Sequence, residues 1–186
     1  MALTLGAIAI FTAACGAGGN GANAPKTTAS PSSRPVSVRS PEPAGRYPSK
    51  SARMICDAEL QKGLAYSLGE RTTTPPKPTW VHHLYTCRYL YRSGAMTLSV
   101  KELSSASQTS SYFEMLQDNL GDAGRITGLG DGAFSTRDGS IVARKDWKIL
   151  LVDISRLPGR FGRPATTRAE VAVTVADSIL ACWSGD

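Results

Sequence analysis

The sequence has few of the residues that build metal centres, with only two histidines and four cysteines among 186 residues. They are too few and too scattered for a zinc ribbon or an iron–sulfur protein, so we expect no metal site and no cofactor. No apolar run reaches the roughly 20 residues that a spanning helix needs, which excludes a protein of many membrane spans. The Gly-x-Ser-x-Gly motif of serine hydrolases does not occur either.

An export signal occupies the first 14 residues, which are apolar and uncharged and end in small residues before Cys15. Residues 11–16, Phe-Thr-Ala-Ala-Cys-Gly, resemble the bacterial lipobox. That resemblance implies that the Cys15 thiol is alkylated with diacylglycerol and becomes the N-terminus after cleavage. We therefore expect a protein anchored in the cell membrane through lipid, on the extracytoplasmic face. The alternative is an ordinary secretory signal in which Cys15 has no role.

A tether is predicted over residues 15–52, because from residue 16 onward this segment holds six Pro, nine Ser or Thr and five Gly. Such a composition buries too little apolar surface to offset its ordering entropy, so we expect disorder. The tether carries five basic groups and one acidic group, a net +4, which suits anionic headgroups or wall polymers. Alternatively, these charges serve only solubility. Residues 53–186 carry 16 basic and 14 acidic groups, and this near balance argues against nucleic-acid binding.

A single α+β domain is predicted for residues 53–186. Three helices are indicated by capping residues and helically spaced apolar residues: one that starts at Asp57 and stops at Gly69, one over 105–120, and one after the Thr167–Glu170 capping box. Alternating patterns and turn residues indicate the strands, which are 81–92, 96–101, short strands around 125–127 and 133–136, then 141–144 and 147–155. The order is α-β-β-α-β-β-β-α. Because hairpins dominate, we expect a mostly antiparallel β-sheet packed against helices.

The motifs that suggest chemistry are better explained as structure. The run Gly128-Leu129-Gly130-Asp131-Gly132 resembles a phosphate loop, but a strand follows it where a helix N-terminus would be required. We expect a tight turn or bulge there. His82 and His83 are adjacent on a predicted strand, so they would point to opposite faces and could not chelate one metal. No catalytic residue can be nominated.

The cysteines downstream of Cys15 indicate a disulfide, because oxidised pairs persist outside the cytoplasm. Cys56 opens the first predicted helix and Cys87 lies on the strand after the proline-rich loop. A Cys56–Cys87 bond would close a loop of about 30 residues and stabilise the fold by roughly 3 kcal/mol. Pairing of either residue with Cys182 is the alternative, and the third thiol would be buried or free.

Three motifs together resemble a group of uncharacterised actinobacterial lipoproteins. They are Cys56-x-x-x-Leu60 followed by Leu68-Gly69, then Cys87-Arg88-Tyr89, and then the segment 128–134. The resemblance covers residues 56–183 and implies an exported, lipid-anchored domain, similar in plan to the extracellular sensor domains of receptor kinases. It implies no catalytic residues.

Two function classes follow from these observations. The first is a non-catalytic, lipid-anchored binding domain that recognises an envelope ligand or a protein partner. The second is a hydrolase that acts on envelope polymers through residues the sequence does not identify. The long tether and the lack of a catalytic motif favour the first.

Overall fold

An antiparallel sheet of seven strands forms the centre of the structure, a computed structural model that describes residues 41–183. The strands are β1 (Pro78–Val81), β2 (Leu84–Tyr91), β3 (Gly94–Glu102), β4 (Asp122–Ile126), β5 (Gly132–Thr136), β6 (Ile141–Lys145) and β7 (Lys148–Asp153). Their spatial order is β1-β2-β3-β7-β6-β5-β4, so two meanders join where β3 pairs with β7. A separate ribbon pairs β8 (Arg160–Phe161) with β9 (Thr166–Thr167).

Helices cover both faces of the sheet. The larger hydrophobic core includes residues of α1 (Lys50–Met54), α2 (Ala58–Leu68) and α4 (Arg168–Ala181). The smaller core, on the opposite face, includes residues of α3 (Ala106–Leu120). Helix α3 closes the smaller core, where Phe113 packs edge-on against Phe134 of β5. The α+β class and the mostly antiparallel sheet are therefore confirmed. The predicted order had five strands, and the sheet has seven.

The predicted helix boundaries rest on the capping contacts that the sequence indicates. The Asp57 side chain accepts a hydrogen bond from the Leu60 amide at the start of α2, and Gly69 ends that helix in the left-handed conformation. At α4 the Thr167 hydroxyl and the Glu170 carboxylate exchange hydrogen bonds with each other's backbone amides. These contacts satisfy amide groups that have no partner within the helix.

The β1–β2 hairpin corrects the prediction of one continuous strand over 81–92. His82 and His83 form its two-residue turn, both with positive φ (49° and 58°), so they do not alternate across a strand. Histidine is among the residues that enter this region more readily than most. Because the chain reverses there, Val81 is 59% exposed instead of sharing the buried face of Tyr85.

The chain is packed against the sheet earlier than Arg53, where the predicted domain begins. The Ala44 amide donates to the Leu103 carbonyl (3.0 Å), and the Ser49 amide donates to the buried Glu102 carboxylate (2.8 Å). Helix α1 follows, and its Ala52 is fully buried. The composition predicted a tether here because serine and proline dominate. The contacts that attach this segment to the sheet join residues far apart in the sequence, so they leave no local sequence pattern.

The predicted Cys56–Cys87 disulfide is present, with 5.5 Å between the two Cα atoms. It links Cys56, two residues before the start of α2, to the middle of β2. Cys182, the C-cap residue of α4, is half-buried and is not a free thiol, so the expectation of a free or buried third thiol is wrong for it. The predicted signal peptide (1–14), the lipidated Cys15 and most of the tether lie outside the described residues. Within residues 41–183, no helix is long and apolar enough to cross a membrane.

Candidate functional site

A cavity of about 500 Å³ lies beside the C-terminal end of α2 and is lined by three arginines. We call it the arginine cleft; its lining residues are Gly69, Glu70, Arg71, Thr72, Thr73, Arg92 and Arg163. The arginines come from three separate segments: the loop after α2, the β2–β3 turn, and the loop between β8 and β9. Positions 71, 92 and 163 are so far apart in sequence that only the tertiary fold brings them together.

The floor of the arginine cleft is a close backbone contact between α2 and the β8–β9 loop. The Arg163 amide donates to the Leu68 carbonyl at 2.8 Å. Gly69 and Gly162 both have positive φ, and a β-carbon on Gly69 would lie 2.3 Å from the Arg163 carbonyl oxygen. Only glycine at position 69 permits this approach, because it has no β-carbon and accepts positive φ without strain.

The opposite wall is also attached to the sheet by its backbone. The Thr73 amide donates to the Leu90 carbonyl at 2.7 Å, and its hydroxyl donates to the same oxygen at 3.2 Å. Arg71 and Thr72 therefore lie on a three-residue span between two fixed points, Gly69 and Thr73. The backbone of this span is therefore fixed at both ends, while the Arg71 side chain itself is exposed.

The arginine cleft is strongly positive. Arg163 donates from Nε to the Glu70 carboxylate at 2.8 Å. Within residues 41–183, Arg71 and Arg92 make no hydrogen bond or ion pair, so three cations face one anion and the cleft has a net charge of +2. The whole of residues 53–186 has only the same net charge, so this cleft concentrates positive charge on an otherwise balanced domain.

A second cavity of about 730 Å³ continues from the arginine cleft along α2 and shares residues 69–72 with it. Lys62 adds another cation, and Tyr66, Tyr89 and Tyr91 add aromatic surface. Burial raises the pKa of Tyr91, and the nearby Glu70 carboxylate raises it further. The phenol therefore stays protonated at neutral pH and remains a hydrogen-bond donor.

A third cavity, of about 230 Å³, brings two carboxylates together, those of Asp138 and Asp153. Each already accepts a hydrogen bond from the backbone amide two residues onward, that of Ser140 or Ser155. Burial opposes the charge of Asp138, but hydrogen bonds from Thr136 and Ser140 outweigh it and hold its pKa below the usual value. A carboxylate with a lowered pKa is a poor general acid, so these contacts identify Asx turns.

The sequence motifs considered for chemistry do not meet in any of these cavities. The glycine-rich segment 128–132 is a turn before β5, as expected, with Leu129 buried beneath it. His82 and His83 lie at the other end of β2 from Arg92. No group of three or more His, Cys, Asp or Glu residues within 41–183 could hold a metal ion. Sequence reasoning missed the arginine cleft because isolated arginines carry no motif.

Comparisons of the chain with protein-family models, with curated proteins and with solved structures found no match. The geometry and charge of the site therefore carry the functional conclusion.

Proposed function

We propose that this chain is a lipid-anchored, extracytoplasmic binding domain that uses the arginine cleft to hold an anionic envelope ligand and does no chemistry on it. The likeness to actinobacterial lipoproteins belongs to this proposal. Its location is inferred from the apolar leader and from the lipobox-like residues before Cys15. The folded part would stand clear of the membrane on a tether and remain attached through the diacylglycerol group on Cys15.

The observation that carries the binding function is the set of unneutralised arginines at one cavity. Arg71 and Arg92 have no acidic partner among residues 41–183, and both line the cavity with Arg163. Like charges that share a site raise its energy, and an anionic ligand would lower it. Arginine also keeps its charge at any physiological pH, so the cleft is always ready for an anion.

A hydrolase acting on envelope polymers is the second candidate, and the Asp138–Asp153 cavity is the place where it would be found. Paired carboxylates hydrolyse glycosidic bonds when one of them is a proton donor. The lowered pKa of Asp138 and the Asx-turn contacts of both residues argue for structure instead. Release of sugar from isolated envelope by the wild-type chain, abolished in Asp153→Asn, would support the hydrolase.

Membrane anchoring is tested by expressing the full chain and its Cys15→Ser variant in a host that processes lipoproteins. We expect the wild type to partition into the detergent phase with lipid mass on its N-terminal peptide, and the variant to partition into the aqueous phase. Aqueous partition of both, or a wild-type Cys15 recovered in a disulfide with Cys182, would refute the anchor, because a thioether-linked thiol cannot also form a disulfide.

Binding is tested by capturing envelope components with the full chain and with its Arg71→Ala/Arg92→Ala double variant. Arg88→Ala is the matched control, since Arg88 is an exposed arginine of β2 that does not line the cleft. We expect the double variant alone to lose the captured material. Equal capture by all three proteins would place the binding surface elsewhere.

A further inference from the structure

We propose that the group recognised in the arginine cleft is a phosphoryl group, carried by an envelope glycan or by a lipid headgroup. This inference rests on the proposed binding function and adds the chemical class of the ligand. It goes beyond positive charge alone, because the three arginines come from separate segments and most of their hydrogen-bond donors are unused.

Most hydrogen-bond donors of the three arginines in the cleft remain unused. Arg163 uses its Nε atom for Glu70, and its terminal nitrogens make no hydrogen bond within residues 41–183. Arg71 and Arg92 each have all five guanidinium N–H groups unused by residues 41–183. Three guanidinium groups thus offer more donors than one carboxylate can accept, since a carboxylate has only about four acceptor sites on its two oxygens.

These donors belong to residues from different parts of the chain that line the same cavity. Arg71, Arg92 and Arg163 line one cavity from three separate segments of the chain. A tetrahedral phosphoryl group presents oxygens in several directions and carries one to two negative charges, whereas a carboxylate is planar with one charge. The Thr72 hydroxyl lines the same cavity and could donate to a further oxygen.

The cleft also carries more positive charge than its own carboxylate neutralises. Glu70 neutralises only one of the three guanidinium groups. The close contact at Gly69 and Gly162 and the Thr73–Leu90 hydrogen bonds keep the backbones of these segments in place, while the arginine side chains are exposed and accessible to a ligand. A phosphomonoester, with a charge near −2, would balance the net +2 of the cleft, and a phosphodiester would neutralise half of it.

The test is a titration of the ¹⁵N-labelled full chain with glycerol 3-phosphate and with inorganic phosphate, at constant ionic strength, in a neutral maltoside detergent. The Nε–Hε resonances of Arg71, Arg92 and Arg163 should shift saturably, and acetate should bind at least about tenfold more weakly. Arg71→Ala/Arg92→Ala should weaken phosphate binding by at least about tenfold, whereas the control Arg88→Ala should leave it within about twofold.

Three results would overturn the inference: no saturable shift, acetate binding as tight as phosphate binding, or an equal loss in the Arg88→Ala control. A second arm compares soluble envelope glycan before and after its phosphate esters are removed with hydrofluoric acid, and adds phosphatidylglycerol vesicles. Binding lost only with the esters identifies a glycan source, and binding to the vesicles identifies a headgroup. Cleft-dependent binding that survives ester removal would refute the phosphoryl class and leave the binding function intact.

Discussion

Gly69 and Arg163 are in contact through their backbones, although they are far apart in the sequence. The Arg163 carbonyl oxygen lies only 2.3 Å from the position that a β-carbon on residue 69 would occupy, which is too close for any residue but glycine. This contact joins the C-terminal end of α2 to the β8–β9 loop and thereby fixes one arginine of the cleft relative to Arg71. The stability of the domain and the geometry of the cleft therefore depend on the same glycine.

We predict that Gly69→Ala lowers the free energy of unfolding by at least about 2 kcal/mol, because it adds both positive-φ strain and a steric clash. Gly63→Ala is the matched control: it lies inside α2 with nothing within 4 Å of an added β-carbon. There the same change should stabilise the helix by about 0.5–1 kcal/mol. Urea unfolding monitored by circular dichroism measures both, and equal effects would contradict the contact.

The disulfide between Cys56 and Cys87 predicts a non-additive pair of mutations. Each single alanine variant should lower the free energy of unfolding by about 3 kcal/mol, and the double variant by little more, since either change already removes the bond. Reducing agent should bring the wild type close to the variants. Additive losses in the double variant would mean that the two side chains stabilise the domain separately.

Much of the fold could be predicted from the sequence because it depends on local patterns. The capping contacts at Asp57 and Thr167 and the alternation that buries Tyr85, Cys87 and Tyr89 are all readable within a few residues. The turn at His82 was not predicted, because a histidine pair lacks the usual glycine or asparagine of such turns. The pairing of β3 with β7 and the arginine cleft depend on contacts between distant segments, which no local pattern records.

Residues before Arg53 are predicted to contribute to stability, in contrast to the tether that composition indicates. Ala52 is fully buried in α1, so Ala52→Leu should overpack the core and cost about 1–3 kcal/mol. The neighbouring Lys50 is exposed, and Lys50→Leu should change stability by less than about 0.5 kcal/mol. Thermal unfolding of both full-chain variants checks this; similar melting temperatures would show that α1 does not pack on the domain.

The turn between β5 and β6 gives a prediction about pH. Hydrogen bonds hold the pKa of Asp138 below its unfolded value of about 3.9, so its carboxylate stabilises the fold at neutral pH. That contribution should be lost as the pH falls below about 4 and through the folded pKa. Asp138→Asn should therefore cost roughly 0.5 kcal/mol at pH 7, a small value because water screens the partly exposed group, and less at pH 3.

Chemical unfolding at a series of pH values measures this difference. Asp118→Asn is the control, because Asp118 is exposed on α3 and its side chain makes no hydrogen bond within residues 41–183. The control should show no pH-dependent cost. A cost of Asp138→Asn that is the same at pH 3 and pH 7 would contradict the stabilising role of the charged form.

The central claim is that the arginine cleft holds a ligand while the protein is in the envelope, and site-specific photo-crosslinking in cells tests it most directly. A photoreactive residue replaces Thr72 inside the cleft or, as a control, Thr86 on the opposite face of the sheet. The account predicts an adduct from position 72 that is lost in Arg71→Ala/Arg92→Ala, and none from position 86. No adduct from position 72, or the same adduct from both positions, would contradict it.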